Sequence, residues 1–525
     1  MKDDVSQELT RRKFLLMVGK AGGTAALLQA ATLLGLTPAP ALAKPVTLAP
    51  LAGKKRTILI LGAGISGLTA AYELTKAGYA VKVLEASHRA GGRNYTIRHG
   101  DFIDELGNPH YCQFDNEPHL YFNAGAARIP AQHTGILHYC KTLGVDLEQF
   151  CNHNKNCYTQ DPQAFGGKPI RLREYEADIR GFMSELLAKS VLNSKTLDAP
   201  FNSVDKEIIA HYAKAYGDLN DEFKYQGTSR AGYKSGGFMA PGELKTPHDF
   251  SELLKSRFWQ YPMQFPQTED QAPAMFHPVG GMDKIVQAFM REIGDKVQLK
   301  AQVKKIQLLD KGVEITYFHQ GGLITEKADY CLNCIPAQLM PGIENNFPAE
   351  YAGILKEFRR GHLAKIGLQA KERFWEKEGI YAGISWTAQD IIQIWYPGHG
   401  VFKQKGVLLG AYTYGPEQAY KLAALNNEQR VALAIEQGSH IHPDYGNYIE
   451  NGVSVCWHRM NHMLGCAAGL PEEDRDRKFK VIQAPAGQHY MIGDQISYHA
   501  GWQEGAVRSA WFALEDIQRR ETGAK

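Results

Sequence analysis

Ile58 to Leu61 form a continuous apolar run, followed at once by Gly62-Ala63-Gly64-Ile65-Ser66-Gly67, a stretch of helical composition from Leu68 to Lys76, and a second apolar run from Val81 to Leu84. A strand, a glycine turn, a helix and a strand in this order constrain the fold more than any other feature, because two parallel strands must then share a sheet with the helix packed over them. In such a loop Gly62 makes the tight turn, Gly64 lets the backbone approach a diphosphate, and Gly67 lets helix and strand pack closely. Ser66 opens the helix whose amides meet the phosphates. Glu85 ends the second strand eighteen residues after Gly67, where a carboxylate accepts the ribose hydroxyls of a dinucleotide. Ala77-Gly78 supplies the helix stop.

The continuation Arg89-Ala90-Gly91-Gly92-Arg93 sets two further glycines against a diphosphate, with arginines placed to neutralise it. A nicotinamide-binding unit does not need this extension. The segment Val83-Leu84-Glu85-Ala86-x-x-Arg89-x-Gly91-Gly92-Arg93 resembles the flavin amine oxidase family, and the resemblance resumes at Pro278-Val279-Gly280-Gly281-Met282-Asp283, at Val303 and at Gly493-Asp494. It implies FAD as the cofactor, with Ala86, Arg89, Gly92, Arg93 and Val303 among its contacts. Asp494 would hold a ribityl hydroxyl, and a helix starting within Gly501 to Ala506 would set its positive end under the flavin.

The implied fold is α/β: a two-dinucleotide-fold FAD-binding domain of Rossmann type, a mixed-sheet substrate domain and a helical lobe. Residues 44–110, 275–345 and 450–525 are expected in the first, 111–150, 240–274 and 346–449 in the second, and 151–239 in the third. In the last of these, Ile179, Phe182, Met183, Leu186 and Leu187 share one helical face, as do Ile208, Ile209, Tyr212 and Tyr216.

The substrate branch follows from a further match. Tyr121 to Pro130, containing Gly125, Ala126, Ala127 and Arg128, resembles the segment in which L-amino-acid oxidases present a carboxylate-binding arginine beside the flavin. The guanidinium is a planar bidentate fork suited to that anion. Tyr412 matches a second carboxylate ligand, and alternation along a strand sets Tyr414 on the same face. His499-Ala500-Gly501-Trp502 resembles the pocket floor, with the Gly501 carbonyl facing the substrate ammonium and Trp502 excluding water. Lys365, ahead of Arg373-Phe374-Trp375, matches a lysine held near the flavin through a water and is the expected catalytic group. Phe258 to Met263 is a candidate side-chain wall. The expected reaction is oxidation of L-amino acids by oxygen to 2-oxo acids, ammonia and hydrogen peroxide. A monoamine or polyamine oxidase, a decarboxylating amino-acid monooxygenase and a catalytically dead flavoprotein stand as alternatives.

With 525 residues the chain is long enough for several lobes. Thr10-Arg11-Arg12-Lys13, the Gly/Ala/Leu-rich run from Leu15 to Leu36 and Pro38 to Ala43 resemble a twin-arginine export signal cleaved after Ala43, which predicts a bacterial periplasmic or secreted enzyme. The remainder carries 54 basic against 53 acidic side chains, so no nucleic-acid partner is expected. Nor is a membrane partner once the leader is removed; a homodimer is expected. Eight cysteines are too few for a disulfide scaffold in a chain this long. Cys331 and Cys334 read as a buried strand and its end, while Cys151 and Cys157 could pair. His458 and His462 lack a third ligand, so no metal is expected.

Overall fold

The computed structural model describes residues 44–51, 55–193 and 203–523, so the leader expected within 1–43 lies outside the described residues. The chain divides into Met1–Thr47 and Leu48–Lys525, and all the elements below belong to the second unit.

Thr57–Leu61 is the central strand of a five-stranded sheet, flanked by Ala80–Leu84 and Tyr330–Asn333, with Val297–Gln298 and His489–Met491 outermost. All four pairings are parallel. Ile58 to Leu61 and the whole of Tyr330–Asn333 are buried, as a parallel sheet covered on both faces requires. The helix Ile65–Lys76 packs against the terminal helix Gln503–Thr522 and against Asp283–Ile293. Cys334 sits where the Tyr330–Asn333 strand ends, and its thiol donates to the carbonyls of Leu61 and Gly62. All eight cysteines are free.

A second, seven-stranded mixed sheet has the order Ile170–Arg171, Tyr158–Gln160, Gly383–Thr387, Gln393–Tyr396, Gly406–Tyr414, Leu363–Ala370, Ile449–Cys456. Every residue of Leu363–Ala370 is buried, since strands lie on both its edges and aromatic side chains such as Trp375 and Trp457 fill the core around it. Two expected boundaries shift. Ile449–Cys456 pairs with Leu363–Ala370, so the chain leaves the second sheet after residue 456 rather than at 450. Tyr158–Gln160 and Ile170–Arg171 are strands of the same sheet, not part of a helical lobe.

Within 151–239 the helices are Leu172–Asn193 and Ser203–Gly217. Their expected apolar faces are only partly buried. Ile179 is inside, whereas Met183, Leu186, Leu187, Ile208, Tyr212 and Tyr216 are exposed. Small residues line the contact instead: Ser184, Ala188 and Ala213 are buried, and a Cβ on Gly217 would lie 2.3 Å from the Ser184 Cβ. Helices this close leave no room for larger side chains, which turn outward.

Candidate active site

A cavity of ≈ 680 Å³ is lined by Gly62, Gly64 and Glu85, just beyond strand ends of the first sheet, and by Lys365, Tyr412 and Tyr414 within strands of the second. It is within the size range of cofactor and ligand sites.

The glycine loop is shaped for a diphosphate. No side chain caps the helix Ile65–Lys76 and no acidic residue stands in its first turn, so its N-terminal amides keep their capacity for an anion. A Cβ at Gly64 would meet nothing within 4 Å, whereas one at Gly67 would lie 2.1 Å from the Gly62 carbonyl oxygen. Gly64 therefore borders free space, and Gly67, which does not line the cavity, permits the turn itself. Gly92, at φ +54°, closes over Gly64, its Cβ position 3.5 Å from the Gly64 Cα. The Glu85 carboxylate accepts from the amides of Ala63 (2.7 Å) and Ser87 (2.8 Å), which fixes it against the loop with lone pairs left for hydroxyls. Ser66, Ala86, Gly125, Ala126, Ala127 and Val303 also line the cavity.

Arg89 and Arg93 both line the cavity. Arg89 donates to the Gly92 carbonyl (2.8 Å) and stacks 3.6 Å from the Tyr95 ring centroid. Arg93 forms a two-pronged pair with Asp494, one prong at 3.0 Å. Their guanidinium groups thus hold the loop and join it to the last segment while bordering the cavity. Asp494 also accepts from the Gly501 amide at 2.7 Å, and Gly493, Gly501 and Trp502 line the cavity with it. The terminal helix begins at Gln503 with Trp502 as its N-cap, inside the window expected. The Pro278–Asp283 segment, by contrast, lies off the cavity: Arg98 clamps the Gly280 carbonyl and Asp283, so this motif anchors the helix Asp283–Ile293.

Arg128 immediately precedes Ile129–Pro130, which pairs antiparallel with Met275–Pro278. That pairing returns the chain so that Gln271 accepts from Arg128 Nε at 3.0 Å. The guanidinium carbon lies 4.7 Å from the Trp395 ring centroid and 5.7 Å from that of Trp502. Burial lowers its pKa. No carboxylate among the described residues forms an ion pair with it, so a cation lines the cavity with aromatic neighbours and one amide as its partners. Burying charge without a counter-ion is unfavourable, and an anionic ligand relieves that cost.

Lys365 is 3% exposed, in the middle of its strand rather than at a solvated end. Its Nζ donates to the carbonyls of Gly125 (2.6 Å) and Asn123 (3.2 Å). Burial, reinforced by the charge of Arg128, brings its pKa down to about 7. Burial also pushes the Tyr412 hydroxyl up to about 12, so it stays a neutral donor. The rings of Tyr412 and Tyr414 lie 5.5 Å apart on one face of the sheet, and Tyr414 accepts from Gln393 at 3.3 Å.

Of the expected wall, Tyr261 alone lines the cavity; Phe258 is buried in the core and Trp259 is exposed. Phe265, Gln271 and Gln393 complete this part of the lining, and none carries a sequence signal beyond its residue type. Trp395 was equally hidden, although its ring lies near both Arg128 and Lys365. His458 is buried and faces His362 and Tyr420. Elsewhere, ligand atoms of His133, Asp270 and His499 lie within 4.8 Å of one another.

A family model described as flavin containing amine oxidoreductase matches residues 65–517. The chain is 26% identical over 488 residues to an L-amino-acid oxidase of Pseudechis australis, covering 88% of this chain and 86% of that one. It is 27% identical over 486 residues to an L-amino-acid oxidase of Demansia vestigiata, covering 88% and 87%. Among solved structures, wild-type putrescine oxidase bound to putrescine aligns with a TM-score of 0.59 at 19% identity, over 88% of this chain and 99% of that one. Cyclohexylamine oxidase from Brevibacterium oxydans aligns at 0.59 and 18% identity, over 89% and 99%.

Proposed function

The chain belongs to the flavin-containing amine oxidoreductase family, and from that premise we propose that its amine substrates are free L-amino acids, oxidised by oxygen to 2-oxo acids. It is FAD-dependent, and FAD when bound supplies the acceptor for the hydride equivalent leaving the substrate Cα–H bond. The overall change balances as amino acid, oxygen and water giving 2-oxo acid, ammonia and hydrogen peroxide.

The observation that carries the substrate class is Arg128: a cavity-lining guanidinium with no carboxylate partner among the described residues. An amine without a carboxylate gives such a group nothing to bind. An amino acid completes the pair, and a charge-assisted pair in a dry pocket orients as well as selects. Tyr412 would add a hydrogen bond to the same carboxylate, Trp502 would exclude water, and the Gly501 carbonyl would accept from the substrate nitrogen. Tyr261, Phe265, Gln271, Gln393 and Tyr414 near Arg128 include no carboxylate, which favours neutral side chains over basic ones. The names of the relatives support the same branch.

Export by the twin-arginine route, resting on Thr10 to Ala43, belongs to this proposal, as does a homodimer. The test is a panel of L-amino acids, D-amino acids and amines, with peroxide, ammonia and carbon dioxide all measured. Peroxide and ammonia in equal amounts from L-amino acids support it. Carbon dioxide as a primary product points to a monooxygenase, and faster turnover of amines to an amine oxidase.

A further inference from the structure

We infer that His133, Asp270 and His499 bind one divalent transition-metal ion of the zinc type, at a site separate from the flavin and substrate cavity. None of the three lines that cavity. They come from distant stretches of chain: His133 precedes the helix Thr134–Thr142, Asp270 lies in the loop before Met275–Pro278, and His499 lies ahead of the terminal helix.

His133 Nε2 lies 3.0 Å from Asp270 Oδ1 and 3.0 Å from His499 Nε2, while His499 Nε2 lies 3.2 Å from Asp270 Oδ1. The three atoms form a nearly equilateral triangle. Hydrogen bonding among neutral imidazoles and an ionised carboxylate cannot satisfy all three edges. If one imidazole donates to the other, the accepting nitrogen turns its lone pair toward the carboxylate oxygen as well. If both donate to the carboxylate, two N–H groups face each other across 3.0 Å. A cation at the centre satisfies every edge at once. Metal bonds of about 2.1 Å at octahedral to tetrahedral angles separate neighbouring ligand atoms by about 3.0–3.4 Å, the spacing seen here.

Two imidazoles and one carboxylate select borderline ions over calcium or magnesium, which prefer oxygen. The His133 side chain is 3% exposed and that of His499 is 39% exposed, so a buried anchor faces a ligand open to solvent. That leaves room for water at the remaining positions and a path for the ion. Gln132 Nε2 donates to the Glu269 carbonyl and, at 3.3 Å, to Asp270 Oδ1, orienting the carboxylate as outer-shell groups do.

The ion would join two stretches that also wall the substrate cavity. Asp270 adjoins Gln271, the partner of Arg128. His499 is followed by Gly501 and Trp502, and the Trp502 ring packs edge-on to His133 at 5.0 Å.

The test uses the tag-free, FAD-loaded enzyme, stripped with a chelator and titrated with Zn²⁺ by calorimetry, with bound metal counted after equilibrium dialysis. One ion per chain is expected in the wild type, with a rise in Tm. Asp270→Asn and His499→Gln should each weaken binding at least tenfold and abolish the rise, while the flavin absorption spectrum stays unchanged as proof of an intact fold. Failure of the wild type to retain zinc, or unchanged retention in either variant, overturns the inference.

Discussion

Lys365 and Tyr412 stand directly opposite each other in neighbouring antiparallel strands, with the lysine Nζ 4.8 Å from the centroid of the tyrosine ring. Directly opposed residues project from the same face of a sheet, so this single register places a buried amine and a neutral phenol together in the cavity lining.

Lys365→Met is expected to leave anaerobic reduction by substrate near normal and to slow reoxidation by oxygen at least tenfold. An ammonium here stabilises negative charge developing on oxygen in a low-dielectric site. Because the folded-state pKa is about 7, that charge is present below pH 7 and lost above it. Wild-type reoxidation should therefore slow as pH rises through 7, and the variant should show no such inflection. Stopped-flow traces of the two half-reactions give both readouts. Stability carries the opposite sign: the unfolded lysine holds its proton to a higher pH than the folded one, so the wild type gains stability relative to the variant between pH 7 and pH 10. Thermal melts across that range check this.

Tyr412→Phe retains the ring beside Lys365 and removes only the hydroxyl. A hydrogen bond to a charged group contributes about 1.5–3 kcal/mol, so KM for amino acids should rise roughly tenfold to a hundredfold. Reoxidation should be unchanged. Steady-state and stopped-flow kinetics on one preparation separate the two.

Gly64→Val should fold yet remain colourless. The backbone there has φ −74° and ψ 177°, which valine accepts, and the added atoms enter only the free space left for the diphosphate. Gly67→Ala should instead fail to fold, because its Cβ would collide with the Gly62 carbonyl. Soluble yield, circular dichroism and the 450 nm absorbance of the purified proteins distinguish these outcomes.

Asp494→Asn weakens the pair that joins the glycine loop to the last segment through Arg93. The Arg93 guanidinium, its side chain 29% exposed, then loses its counter-charge, which is destabilising in a partly buried site. FAD affinity is expected to fall at least tenfold, with a lower Tm even in the cofactor-free protein. Fluorescence titration with FAD and thermal melts provide the check.

The parts of the site legible in the sequence are local. Gly62 to Glu85 encodes strand, turn and helix within one short stretch, and Lys365, Tyr412 and Arg128 each sit in a segment that resembles a known one. What could not be read depends on closure of the chain over long separations. Arg93 meets Asp494 across 401 positions and Arg128 meets Gln271 across 143; Asp494 has a local pattern but nothing in it announces Arg93 as its partner, and Gln271 has no pattern at all. His133, Asp270 and His499 converge only because three loops do. In the helices at 172–193 and 203–217 periodicity marks an apolar face, but close packing on Ser184, Ala188 and Ala213 decides which face turns inward.

The most direct test of the central claim compares one neutral L-amino acid with the amine left by removing its carboxylate, in the wild type and in Arg128→Ala. The wild type should prefer the amino acid in kcat/KM by at least a hundredfold. In the variant the preference should collapse, with KM for the amino acid raised about thirtyfold or more, the lower end of about 2–5 kcal/mol for truncating one partner of a buried charge pair. FAD content and turnover of the amine should be unaffected. A wild type that oxidises the amine as well as the amino acid, or a variant with unaltered amino-acid kinetics, would contradict the assignment of Arg128 and with it the proposed substrate class.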